Sequence, residues 1–100
     1  MEKITLQKGR VKITMQYIES GEDLCVIITG GDTPHIGCVT LSTPRKSIAD
    51  QNMMSSTTSI LNRLGHKDDE VAKYVSEKIS AQLNRVVSVI CGIHIDDITP

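Results

Sequence analysis

The chain contains no tryptophan and no phenylalanine; Tyr17 and Tyr74 are its only aromatic residues. Its core must therefore be built from Ile, Val, Leu and Met, which bury less area per side chain than aromatic rings do. Base-stacking platforms are excluded by the same shortage. Charge of one sign is also lacking: 11 basic residues face 12 acidic ones, for a formal net charge of −1. With no basic stripe, nucleic-acid binding is not expected. No apolar run is long enough to span a bilayer, and Met1 is followed at once by Glu2 and Lys3, so neither a signal peptide nor a transmembrane span is expected. Cysteine is scarce and odd in number, Cys25, Cys38 and Cys91, with no C-x-x-C pair. That pattern argues against a disulfide framework or a thiolate zinc site and fits small buried thiols in a reducing cytoplasm.

What is present reads as one domain spanning residues 1–100. Ile4-Thr5-Leu6 alternates as a short strand, and Val11, Ile13, Met15 and Tyr17 alternate with Lys12, Thr14 and Gln16 as a half-buried one. Leu24 to Thr29 is a continuous apolar strand of the kind buried on both faces. His35 to Leu41 reads as a fourth strand, with Gly37 at a bulge or close approach. Thr43 to Met54 has the composition of a long loop, and Ser55 to Asn62 reads as a fifth strand. A helix is predicted over Asp68 to Gln82, with Asp68 as its N-cap and Asn84 ending it in the left-handed conformation. Val71, Val75, Ile79 and Leu83, with Ala72, would form its apolar stripe. Val86 to Ile93 is the last strand. The order β-β-β-β-β-α-β describes an α+β domain with a mostly antiparallel sheet of about six strands, since the early connections are too short for crossovers. One helix covers only one face, so a second layer or a homodimer partner is expected on the other.

The three histidines share one context: a strand end, a glycine before, and a carboxylate nearby. They lie in Gly30-Gly31-Asp32-Thr33-Pro34-His35-Ile36-Gly37, Gly65-His66-Lys67-Asp68-Asp69-Glu70 and Gly92-Ile93-His94-Ile95-Asp96-Asp97. If the three turns meet at one end of the sheet they form one polar site. The Gly30–Thr33 segment could offer backbone N–H groups to a phosphate; equally, it could be a hairpin turn that needs positive φ. His66 with Asp68 or Asp69 could be an acid–base or metal pair, but capping explains these acids as well. His94 and Asp96 point the same way along a strand, as a pair that orients an imidazole or binds a metal would. No H-E-x-x-H spacing and no G-x-S-x-G elbow is present, which disfavours a metal centre and a serine nucleophile.

The segments Pro34-His35-Ile36-Gly37, Gly65-His66-Lys67-Asp68-Asp69-Glu70 and Gly92-Ile93-His94-Ile95-Asp96-Asp97-Ile98-Thr99 occur in that order. Together they resemble the small accessory subunit of gallate decarboxylase, a prenylated-flavin chaperone-like domain, from about Asp32 onward. The domain is also distantly similar to proteasome assembly chaperones. The resemblance implies a cytoplasmic, non-catalytic accessory protein that helps deliver or mature prenylated FMN for a decarboxylase large subunit. The implied contacts are His35, Gly37, His66, His94 and Asp96, with Gly65, Asp68, Asp69, Gly92, Asp97 and Thr99 also matching. Members of that family continue into a helical tail beyond the position of Pro100. Two rival readings stand beside this one: a small enzyme using the three histidines on a metal or as acid–base groups, and a pure assembly scaffold.

Overall fold

The computed structural model describes residues 2–8, 11–48, 52–63 and 69–94. Its elements are β1 (Glu2–Lys8), β2 (Val11–Ser20), β3 (Asp23–Gly31), β4 (Cys38–Lys46), β5 (Met54–Asn62), α1 (Asp69–Leu83) and β6 (Val87–His94). The strands form a six-stranded sheet in the order β1-β2-β3-β6-β4-β5. All neighbours are antiparallel except β3 and β6, which run parallel with Leu24 beside Val87 and Gly31 beside His94. The α+β class, the helix and the element order agree with the sequence pattern.

Three details differ from it. First, β3 and β4 are not a hairpin: β6 lies between them. The chain therefore has to step across β6, a gap of about two strand spacings, or roughly 10 Å. That step uses residues 32–37, so β4 starts at Cys38 rather than His35. Second, β4 runs on to Lys46, well into the expected loop. Pro44 is tolerated there because β4 pairs with β6 only from Cys38 to Ser42, so beyond Ser42 that side of the strand asks for no ladder donor. A bond from the Ser47 N–H to the Met53 carbonyl, 2.8 Å, then ties together the ends of a shorter connection.

Third, the helix buries a different row. Ala72, Ser76 and Ser80 are its buried residues. Val75 and Ile79 are partly buried against the core, while Val71 and Leu83 are about half exposed at 49% and 51%. The helix packs on β4, β5 and β6, and the facing strand positions are hydroxyls. Ser42 Oγ lies 2.6 Å from both Ser76 Oγ and Thr58 Oγ1. Ser76 donates to the Val87 carbonyl, Ser80 to the Arg85 carbonyl, and Ser56 to the Glu77 carbonyl. Small side chains let the helix backbone come close to the sheet, and the hydroxyls satisfy one another once water is gone. No described buried side-chain polar atom lacks a partner. Asn84 ends the helix at φ 53°, and the Arg85 N–H bonds the Ser80 carbonyl five residues back, a Schellman closure.

The apolar core sits beside this hydroxyl row. Val26, Ile28, Cys38, Val87, Val89 and Cys91 fill the helix side of the central strands. Because α1 is offset toward β5, the same face over β2 and β3 is left as an apolar groove of about 400 Å³, lined by Met15, Tyr17, Leu24, Val26, Ile79 and Leu83. Arg85 closes its far end, donating through Nε to the Glu22 carbonyl. On the opposite face no described helix lies over the sheet. There Ile27, Ile90, Val39 and Leu61 stand in one cross-strand row, flanked by Leu41 and Ile18.

Replacing Ser76 tests the hydroxyl interface. Ser76→Ala should lower stability by about 1–2 kcal/mol, because it removes two partners yet leaves Ser42 bonded to Thr58. Ser76→Leu should cost more, by wedging the helix off the sheet. Urea unfolding would check the order; a leucine variant as stable as the native chain would mean that the helix is not closely seated.

Candidate functional site

The parallel pairing of β3 with β6 places the C-terminal ends of both strands at one end of the sheet. β4 begins at that end, opposite the close of β5, where Cys38 pairs with Asn62. Gly31 to Gly37 and the end of β6 at His94 are thereby directed to a common edge.

The crossover from β3 to β4 is held tightly there. Gly31 turns the chain at φ 77°. The segment then lies across Gly92: a Cβ built on Gly92 would come 1.8 Å from the His35 carbonyl oxygen and 3.1 Å from the Gly37 nitrogen. Gly92 alternates with Cys91, which faces the helix, so the crossover passes over the helix-free face. Gly37 is buried and fully used: its N–H bonds the Cys91 carbonyl at 2.9 Å, and its carbonyl accepts from the Arg63 N–H at 2.8 Å. Gly37 is thus a knot of backbone joining β6, the start of β4 and the end of β5.

His35 stands partly exposed on this crossover. Its Nδ1 lies 2.9 Å from the Thr33 carbonyl, and a carbonyl can only accept. The neutral ring therefore carries its proton on Nδ1 and presents Nε2 as the acceptor nitrogen. His94 ends β6 two residues beyond Gly92, opposite Gly31. The structure thus brings His35, Gly37 and His94 to one edge. Gly65, His66, Asp68, Asp96, Asp97 and Thr99 lie outside the described residues, so their part in the site is an expectation from sequence alone.

Arg63 also belongs to this edge, although nothing in the sequence marked it out. It follows β5 directly, and its Nη1 donates to the Ile36 carbonyl at 3.0 Å. No motif surrounds it; only the strand register reveals that the end of β5 meets the crossover. The two glycines of the pair serve different needs: Gly31 supplies the positive φ of the turn out of β3, while Gly30 answers to the sheet. Gly30 lies within β3, where a Cβ would come 2.4 Å from the Lys12 carbonyl oxygen, so its role is close strand approach. Among the described residues, no group of three or more His, Cys, Asp or Glu side chains could hold a metal ion. No described helix is long and apolar enough to cross a membrane.

Residues 7–100 match the family model described as the prenylated flavin chaperone LpdD-like domain. The protein named Protein LpdD, from Lactiplantibacillus plantarum (strain ATCC BAA-793 / NCIMB 8826 / WCFS1), is 31% identical over 81 residues, which cover 79% of this chain and 54% of that protein. The chain therefore spans about half the length of the curated relative it matches.

Two glycine substitutions separate close approach from backbone strain. Gly92→Ala should lower stability by about 2–3 kcal/mol and loosen the Gly37 knot, because the new methyl group meets backbone that cannot rotate away. Gly21→Ala, at φ 60° with nothing within 4 Å, should cost only about 1 kcal/mol from its conformation. Denaturant unfolding with amide exchange at Gly37 would check both; equal costs, or unchanged exchange in the Gly92 variant, would contradict the crowded crossover.

Proposed function

Because the chain belongs to the prenylated flavin chaperone LpdD-like family, we propose that it is a non-catalytic accessory protein that helps deliver or mature prenylated FMN in a partner decarboxylase. The family match over nearly the whole chain carries this reading. In it the flavin supplies the decarboxylation chemistry within the large subunit, and this chain acts by binding and positioning. A cytoplasmic location accords with that role.

The flavin contact is assigned to the edge that carries His35, Gly37 and His94, with Arg63 beside them, and His66 and Asp96 are added to it on the sequence pattern alone. The described residues suit the polar end of a flavin nucleotide. Arg63 offers a guanidinium, Thr33 a hydroxyl, and His35 an imidazole whose tautomer is fixed by the Thr33 carbonyl. A guanidinium and hydroxyl donors match a phosphate or the carbonyl edge of the ring. The described apolar groove lies at the other end of the sheet, along β2 and β3. The flavin would therefore be held here at its polar end, with the decarboxylase supplying the apolar wall. That arrangement suits a transient hand-over better than storage.

The helix-free face is the surface proposed for the large subunit. It carries the row Ile27, Ile90, Val39 and Leu61 and adjoins the histidine edge, since the crossover lies on it at Gly92. Exposed apolar area of this kind marks association surfaces.

His94→Ala tests the reading. His94 is the last residue of β6, at the margin of the described sheet. Its replacement should change stability by no more than about 0.5 kcal/mol, while a co-expressed partner decarboxylase loses its maturation. His35→Ala should act in the same direction. The measurements are thermal melting and decarboxylase activity from co-expressing cells, with the visible flavin spectrum of the purified partner. A stable variant that still gives a fully active partner would remove the histidine edge from the function; an early-melting one would make His94 structural.

A further inference from the structure

We infer that β5 is the edge through which two copies of this chain pair, forming one continuous sheet across a twofold axis. The inference rests on the strand edges alone and is independent of the flavin reading.

The sheet has two edges, and they are composed differently. β1 carries Glu2, Lys3 and Lys8, charges of the kind that discourage strand addition. β5 reads Met54-Ser-Ser-Thr-Thr-Ser-Ile-Leu-Asn62, nine residues without a single charge, proline or glycine. An edge of this length with no blocking residue is an open template for another strand. The surroundings are apolar as well: Met54 is 40% exposed, Leu61 76%, and Tyr74 on the neighbouring helix flank 64%.

The sequence of β5 favours a second copy over an unrelated strand. An antiparallel pair centred on Thr58 sets Thr58 opposite its counterpart, Thr57 opposite Ser59, Ser56 opposite Ile60 and Ser55 opposite Leu61. Every pair is uncharged, and hydroxyl residues meet hydroxyl or aliphatic ones, a tolerated cross-strand match. Centring on one residue also keeps each face with its own kind, because residues an even number apart share a face. Both helices then lie on the same side of the joined sheet.

Helix spacing fits this arrangement. The row Thr58–Ser42–Ser76 runs from β5 through β4 to the helix, so each helix sits close to β4. The two β4 strands of the pair would be about three strand spacings apart, roughly 14 Å. Directly packed helices need about 8–10 Å, so long side chains must fill the remainder. A groove of about 200 Å³ occurs at that place, lined by Met54, Ser56, Tyr74, Glu77, Lys78 and Ala81. Across a twofold near Ser76, Lys78 of one helix comes level with Tyr74 of the other, so the long side chains that line this groove reach into the gap. The combined footprint, about 30 Å of strand by two layers of roughly 10 Å each, is around 600 Å² per copy. That approaches the approximately 800 Å² of a standard stable interface.

Light scattering on the purified chain tests the inference. The expected mass is twice the 11.0 kDa of one chain at micromolar concentration. The double variant Ser59→Lys, Ile60→Lys places like charges across the axis and should weaken dimerisation by well over tenfold without lowering the melting temperature of the monomer. Leu41→Lys, on the helix-free face, should leave the dimer intact. Hydrogen exchange of the native chain supplies a second readout that needs no variant: alternate β5 amides should become protected as concentration rises, and β1 amides should not. A native monomer, a dimer that survives the lysine pair, a dimer broken by Leu41→Lys, or β5 amides that exchange independently of concentration would each overturn the assignment.

Discussion

The arrangement depends on where the last strand goes. β6 enters between β3 and β4, parallel to one and antiparallel to the other. It is the strand best suited to the centre, with Val87, Val89 and Cys91 fully buried. β5 and β6 are both antiparallel to β4 and so run parallel to each other, which is why α1, and not a tight turn, joins them. The position of β6 also forces residues 32–37 over the top of β6, and that passage is why Gly92 has no room for a side chain. The common edge for His35, Gly37 and His94 follows from this insertion, not from any local signal around them.

Local patterns announced most of the strands. Alternation from Val11 to Tyr17 identifies a half-buried strand, a continuous apolar run identifies β3, a run apolar except for Ser88 identifies β6, and Asn84 marks the helix end. These features depend on neighbours in the chain. Strand order depends on distant pairing, and Gly30-Gly31 looked like a hairpin because nothing nearby reveals that a strand from the other end of the chain intervenes. The helix face was misread for a different reason. Hydropathy favours the Val75/Ile79 row, whereas the closest approach to the sheet is made by Ala72, Ser76 and Ser80, whose advantage is size. In the candidate site, glycine–histidine–acid context pointed to His35 and His94, while Arg63 carries no such context and is visible only through the register of β5.

The surfaces divide by chemistry. Polar groups gather where strands end, aliphatic side chains form a row on the helix-free face, and uncharged main chain lines the β5 edge. They meet only at their borders, as at Leu61, which belongs to both the aliphatic row and β5. A small protein that handles a cofactor with a larger one benefits from such separation, because each contact can form or dissolve without disturbing the rest.

The hydroxyl-lined seat of α1 bears on how stability responds to temperature. Unfolding normally raises the heat capacity by about 12–15 cal/mol/K per residue, because apolar surface raises it and polar surface lowers it. Here, separating helix from sheet exposes Ser42, Ser56, Thr58, Ser76 and Ser80 where most helix–sheet interfaces would expose leucine and isoleucine. The heat-capacity increment therefore falls toward the low end of that range, and the curve of stability against temperature flattens. Hydrogen-bond enthalpy takes over part of the role of hydrophobic entropy, so the helix holds its seat with less loss on cooling than an oily interface would allow.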